Sequence, residues 1–101
     1  MVPIEITTAN FEKELLNSGV PVLMDFWASW CGPCKIMVPV VDEIAAGAVD
    51  FKVGTLNVEK YPELAVKFRV RSVPTFIVFK GGKPVSRLAG IQSKEALLAL
   101  V

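Results

Sequence analysis

The sequence predicts an α/β fold with a central mixed five-stranded sheet flanked by four helices. Segments with strand-like apolar patterns are interleaved with segments of helical periodicity in the order β-α-β-α-β-α-β-β-α. Crossovers through helices place strands parallel, whereas the short link between the last two strands makes that pair antiparallel. The 101 residues, of which 52% are hydrophobic, are expected to form a single domain, residues 1–101, around one core.

The N-terminal region is predicted to contain the first strand and the first helix. Residues 4–6 alternate between apolar and charged side chains, which indicates a short strand. Residues 7–10, Thr-Thr-Ala-Asn, supply side chains typical of a helix start, and residues 17–19, Asn-Ser-Gly, are typical of a helix end. The apolar stripe between them consists of Phe11, Leu15 and Leu16.

A buried strand and a long apolar helix are predicted next. Residues 21–27 form a nearly continuous apolar run, as in a strand covered on both faces, and Asp25 is its only charged residue. A helix is expected from Cys34 to Gly47, with a kink at Pro39. Its apolar positions at helical spacing are Ile36, Met37, Val40, Val41 and Ile44. Because they cover much of its circumference, we expect this helix to be well buried.

The C-terminal half is predicted to contain three strands and two helices. The strands are expected at residues 51–58, 75–79 and 85–89. Gly81 and Gly82 fit a two-residue hairpin turn, and Pro84 indicates that the fifth strand lies at the sheet edge. One helix begins at Pro62, and Ser93 caps the last. The side chains that these two helices should bury are Leu64, Ala65 and Phe68, and then Leu97, Leu98 and Leu100.

Charge and hydropathy argue against several classes of function. The net charge is +1, from 11 basic and 10 acidic residues, which gives no footprint for nucleic acid and no polybasic segment for anionic lipid. No apolar run approaches the roughly 20 residues that span a membrane. The opening Met-Val-Pro-Ile-Glu lacks the basic-then-apolar layout of a signal peptide, so we expect a soluble, cytoplasmic protein with no nucleic-acid or membrane partner.

The only two cysteines lie in residues 30–34, Trp-Cys-Gly-Pro-Cys, where the second strand gives way to the second helix. Positions i and i+3 share a helix face, so both thiols would project from one turn, close enough for a disulfide. This arrangement suggests thiol–disulfide exchange. The alternative, structural zinc, needs four ligands. Without histidine or a second cysteine pair, it would require carboxylates or another subunit.

Residues 25–34, Asp-Phe-Trp-Ala-Ser-Trp-Cys-Gly-Pro-Cys, resemble the active-site segment of thioredoxins. Further family motifs follow in the expected order at Pro39, residues 73–75 (Val-Pro-Thr) and Gly90. The resemblance covers nearly the whole chain. It implies the thioredoxin fold and a general protein disulfide reductase that needs no bound cofactor or metal. Disulfide-containing proteins would be its substrates, and a separate thioredoxin reductase, typically a flavoprotein using NADPH, would supply electrons. We expect a monomer.

Cys31 is the expected nucleophile and Cys34 the resolving thiol. Cys31 would stand at the helix N-terminus, where amide groups without intrahelical partners stabilise a thiolate. Cys34 lies one turn further in, shielded, and would attack Cys31 in the mixed disulfide. Gly32 and Pro33 are expected to tune the pair, and Pro33 resembles the reducing rather than the oxidising relatives.

Asp25 is the expected third catalytic residue. Burial in an apolar strand should raise its pKa towards neutrality, so that it could accept a proton from Cys34, directly or through water. The alternative is an aspartate bonded to loop amides at the end of a strand. Thioredoxins commonly place a lysine near this carboxylate. Here Thr55 takes that position, and Lys52 should point to the opposite face of the sheet.

The resemblance also implies a flat apolar surface for substrates around the nucleophile. Its expected members are Trp30, Gly32, Pro33, Val73, Pro74, Gly90 and Ile91. Pro74 resembles the family's cis-proline, and the backbone of Val73 would pair with an extended substrate chain. For Trp27, a place in the core and a functional role both stay open. Arg69 and Arg71 either border the substrate groove or are solvated charges.

Two other functions stay open at this point. The chain could be a non-catalytic binding module in a larger assembly, in which case losing both cysteines would leave activity unchanged. It could also be an oxidase or isomerase specialised for forming disulfides. The reduction potential of the cysteine pair distinguishes that role from general reduction.

Overall fold

A computed structural model of the protein, which describes residues 2–101, contains the predicted strands and helices in the predicted order. The strands are β1 (Ile4–Glu5), β2 (Val22–Trp27), β3 (Lys52–Asn57), β4 (Thr75–Lys80) and β5 (Lys83–Ala89). The helices are α1 (Glu12–Leu16), α2 (Gly32–Gly47), α3 (Pro62–Lys67) and α4 (Lys94–Leu98). Within residues 2–101, no helix is both long and apolar enough to cross a bilayer.

The five strands form one mixed sheet in the order β1-β3-β2-β4-β5. β3 pairs parallel with β1 and β2, and β4 pairs antiparallel with β2 and β5. The turn between β4 and β5 has positive φ at both Gly81 (60°) and Gly82 (78°), which fits the predicted two-residue hairpin. β5 lies at the edge of the sheet, as Pro84 indicated, and β2 lies at its centre.

Helices cover both faces of the sheet, which is why β2 is apolar almost throughout. One core layer, against α1 and α3, includes Ile6, Leu15, Met24, Phe26, Leu56, Leu64, Phe68 and Phe79. The other, against α2 and α4, includes Leu23, Met37, Val41, Ile44, Val53, Phe76, Val78 and Leu97. Alternation along β2 sends Leu23 and Asp25 to the α2 side of the sheet, so the one charged residue of the strand lies beneath α2.

Two expectations about the helices are wrong. The predicted deep burial of α2 fails because Ile36 and Val38 are 59% and 50% exposed, and only the stripe facing the sheet is buried. An apolar sequence around a helix does not bury it when the sheet covers a single side. Leu98, predicted to be buried, is 39% exposed, whereas Leu97 fills the core. α2 remains helical through Pro39, and the kink there stays a prediction.

Candidate active site

The two cysteines lie where the loop after β2 enters the first turn of α2, and they form a disulfide with Cα atoms 5.3 Å apart. Cys31 has extended backbone and precedes the first helical residue. Its Sγ accepts a hydrogen bond of 3.1 Å from the backbone N–H of Cys34. Pro33 occupies the start of the helix, where a missing N–H leaves no bond unmade. The Cys31 sulfur therefore acts as the N-terminal cap of α2.

The two cysteine residues do not differ in burial, although Cys34 was expected to be the shielded one of the pair. Each residue is 3% exposed in the disulfide form. Ala28 forms a buried cluster with the pair, and Trp27, Val58 and Val73 pack against this cluster. The two residues are thus equally buried, and the Cys31 Sγ is the sulfur that accepts the hydrogen bond from the Cys34 N–H. Among residues 2–101, no cluster of three or more His, Cys, Asp or Glu side chains is placed to hold a metal ion.

Asp25 is 5% exposed, near the centre of the sheet. Burial raises the pKa of its carboxyl from 3.8 to about 7, because the charged form loses hydration without gaining a cation. Its Oδ1 has no hydrogen-bond partner among residues 2–101. The alternative of a carboxylate bonded to loop amides therefore finds no support at this oxygen.

A cavity of about 240 Å³ links Asp25 to Cys34. Thr55, the register partner of Asp25 on β3, lines the cavity. Val38 and Val41 of α2 form an apolar part of its wall. Lys35 and Asp42, both exposed, line the same cavity. Asp25 and Cys34 thus line one cavity that is large enough to hold water.

Lys52 does not take the place of the lysine that thioredoxins commonly have near this carboxylate. The Lys52 side chain forms an ion pair of 3.8 Å with Glu14 of α1, on the face of the sheet opposite to Asp25. This placement agrees with strand alternation, since Lys52 and Thr55 are three residues apart. Asp25 therefore owes its raised pKa to burial, with Thr55 rather than a cation beside it.

Several residues of the expected substrate surface lie close to the disulfide in the fold. The Val73–Pro74 peptide bond is cis, as the resemblance implied, and Val73 packs on the cysteine pair. Gly90 has φ of 82°, which favours glycine, and its N–H donates to the carbonyl of Pro74 at 2.8 Å. Trp30 is 71% exposed and Ile91 55% exposed. Gly32 and Pro33 are also exposed.

A groove of about 290 Å³ runs from this surface towards α3. It is lined in part by Trp30, Val58, Pro62, Val66, Arg71 and Val73. Arg71 thus borders the groove. Arg69 does not line it, and its carbonyl accepts a hydrogen bond of 2.9 Å from Nη1 of Arg87.

Most of the residues that line the groove, Val58 and Val66 among them, were not predicted from the sequence to form a site. Val66 is 77% exposed and lies off the buried stripe of α3. An apolar residue outside the buried stripe of a helix is a sequence signal that could have indicated this part of the groove. Trp27, left open between core and function, is half-buried, contacts the cysteine pair and lines the cavity over Asp25.

Comparison with known proteins agrees with this geometry. The family model described as Thioredoxin matches residues 2–101. The thioredoxin of Mycobacterium tuberculosis (strain ATCC 25618 / H37Rv) is 51% identical over 96 residues, covering 94% of this chain and 83% of the relative. That of Alicyclobacillus acidocaldarius is 48% identical over 95 residues, covering 93% and 90%. The "Bifunctional thioredoxin reductase/thioredoxin" of Mycobacterium leprae is 50% identical over 98 residues, covering 96% of this chain and 21% of that protein. The chain therefore belongs to the thioredoxin family of protein-disulfide oxidoreductases.

Proposed function

We propose that this protein is a general reductant of protein disulfides in the cytoplasm, working as a monomer with the Cys31–Cys34 dithiol as its electron carrier. The observation that carries the proposal is the place of the Cys31 sulfur at the N-terminus of α2, where the Cys34 N–H donates to it. In the reduced protein, this donor and the helix dipole favour the thiolate, which is the attacking species.

The reaction has two exchange steps. The Cys31 thiolate attacks one sulfur of the substrate disulfide, forming a mixed disulfide and releasing the first substrate thiolate. Cys34, deprotonated, then attacks the Cys31 sulfur, which forms the Cys31–Cys34 disulfide and releases the second substrate thiolate. Two electrons pass from the dithiol to the substrate, and the two thiolates take up protons. The 5.3 Å between the cysteine Cα atoms supports closure of this disulfide.

Asp25 serves as the base for the second step. Its pKa of about 7 suits a group that exchanges protons at neutral pH, and it shares a cavity with Cys34. A water in this cavity can carry the proton from the inner thiol to the carboxylate. Gly32 and Pro33 set the reducing power of the pair.

Substrates bind as extended chain across the surface beside the disulfide. The residues proposed to contact them are Trp30, Val73, Pro74, Gly90 and Ile91. Backbone pairing at Val73 and apolar contacts depend on an extended chain rather than on a particular substrate sequence. This supports the reduction of many different substrates. A separate thioredoxin reductase restores the dithiol, a partnership supported by the Mycobacterium leprae relative, whose name joins the two activities.

The test is turnover of insulin disulfides by the pre-reduced protein, together with the reduction potential of the Cys31–Cys34 pair. We expect turnover and a potential at or below the cytosolic glutathione poise of about −220 to −260 mV. Turnover should vanish when both cysteines are replaced by Ser. A potential well above that poise would indicate an oxidant or isomerase instead. No insulin turnover, together with a biological activity that is unchanged when both cysteines are replaced by Ser, would indicate a binding module.

A further inference from the structure

Glu59, which plays no part in the chemistry above, joins the two loops that flank the disulfide. Its Oε1 accepts a hydrogen bond of 2.8 Å from the Ser29 hydroxyl and another from the Ser29 backbone N–H. Ser29 follows β2 and directly precedes Trp30, whereas Glu59 follows β3. Because β2 and β3 are parallel neighbours, their C-terminal loops meet at the same end of the sheet.

The Glu59 side of this contact is itself held in place. The Asn57 Oδ1 accepts hydrogen bonds from the backbone N–H groups of Glu59, at 2.9 Å, and Lys60, at 3.2 Å. The N–H of Val58 donates to the carbonyl of Trp27 at 2.9 Å, which ties the start of this loop to the end of β2. The carboxylate therefore projects from an ordered turn, so its grip on Ser29 restrains the neighbouring loop.

The two loops joined by Glu59 carry two sides of the groove beside the disulfide. Trp30 comes from the loop after β2, and Val58 from the loop after β3. Trp30 is 71% exposed, so few contacts of its own side chain fix its position. The width of the groove thus depends on how firmly the backbone at Ser29 is held.

We propose that Glu59 is a positioning residue for substrate binding: through its two hydrogen bonds to Ser29 it holds the Trp30 side of the groove at a fixed distance from the Val58 side. The inference rests on the proposed function and deepens it. A carboxylate suits this task because a charged acceptor makes stronger hydrogen bonds than a neutral one and can take two donors on one oxygen. The substrates that depend on Glu59 are polypeptide disulfides, whose flanking chain enters the groove. A small disulfide has no flanking chain and reacts with the Cys31 sulfur without occupying the groove.

The experiment compares pre-reduced variants with two substrates, insulin and hydroxyethyl disulfide, which has no polypeptide. In Glu59→Ala, we expect the second-order rate constant with insulin to fall about five- to tenfold, because the two lost hydrogen bonds are exposed and act on the substrate only through the position of Trp30. The rate constant with hydroxyethyl disulfide should change less than about twofold, and the reduction potential should stay unchanged. Glu59→Gln keeps an acceptor oxygen and Ser29→Ala keeps the backbone donor, so both should show smaller losses with insulin.

Glu63→Ala is the matched control, because it removes an exposed acid from the first turn of α3 near the same loop. We expect it to leave both rate constants unchanged. An unaltered insulin rate in Glu59→Ala would overturn the proposal, as would equal losses with both substrates. If Glu59→Ala does not fold, the rate constants of Glu59→Gln and Ser29→Ala with the same two substrates test the proposal. Failure of the unsubstituted protein to reduce insulin would instead overturn the proposed function, and the role of Glu59 with it.

Discussion

Replacing Asp25 by Asn should stabilise the protein at neutral pH, and the stabilisation should increase as pH rises. Burial raises the pKa of Asp25 from 3.8 to about 7, so the folded state holds this proton more tightly than the unfolded state. Well below pH 3.8 the carboxyl is protonated in both states, and the folded protein loses no stability through this group. As pH rises from 4 to 7, Asp25 ionises in the unfolded state but stays protonated in the folded state. Ionisation lowers the free energy of the unfolded state only, so the free energy of unfolding decreases. Asn cannot ionise, so the variant escapes this loss.

The size of the effect follows from the shift in pKa. A difference of about three units at 1.36 kcal/mol per unit corresponds to about 4 kcal/mol. The stability of Asp25→Asn relative to the unsubstituted protein should therefore increase by about 4 kcal/mol between pH 3.5 and pH 8. Most of this change should fall between pH 4 and pH 7. That is a large part of the total for a small domain, which is typically about 5–15 kcal/mol.

Urea unfolding of the two disulfide-form proteins, repeated across this pH range, measures the difference directly. Asp42→Asn is the matched control, since Asp42 lines the same cavity but is exposed. Because Asp42 is exposed, this replacement should change the free energy of unfolding by less than about 0.5 kcal/mol. A difference for Asp25→Asn that varies by less than about 1 kcal/mol would refute the argument, because it would mean that burial does not oppose ionisation of this carboxyl.

The remaining predictions concern the exchange chemistry and the hairpin. Cys34→Ser should accumulate mixed disulfides through Cys31, and Cys31→Ser should trap almost none; mass spectrometry of the adducts decides, and the reverse pattern would contradict the assigned roles. Asp25→Asn should slow exchange at least about tenfold near neutral pH in stopped-flow measurements, and an unchanged rate at every pH would remove the role of base. Gly82→Ala should cost more than about 1 kcal/mol in urea unfolding, because φ is 78° and the new Cβ would collide with the carbonyl oxygen of the last residue of α1. Gly19→Ala, which has open space around the new Cβ, is its control, and equal effects of the two would argue against this turn geometry.

Local sequence patterns were sufficient for most of the fold. The alternation of residues 4–6, the apolar run at 21–27 and the Gly81-Gly82 pair each describe a short stretch of chain. Such a stretch adopts its conformation for reasons largely contained within it. The cysteine pair belongs to the same class, because a spacing of three places both sulfurs on one helical turn. Asp25 could be singled out because a charged residue in an otherwise apolar strand must be buried with it.

What the sequence could not reveal depends on which segments meet in space. Val58 and Val73, which pack against the buried cluster of Ala28, Cys31 and Cys34, come from the segments after β3 and before β4. The exposed outer face of α2 reflects a sheet that packs on one side of the helix only. The hydrogen bonds between Ser29 and Glu59, 30 residues apart, exist because β2 and β3 are parallel neighbours. The sequence by itself thus determined the elements and the reactive pair, because these depend on near neighbours in the chain. The surroundings of the sulfurs were decided by tertiary structure, since burial and long-range hydrogen bonds depend on groups that sequence distance does not place.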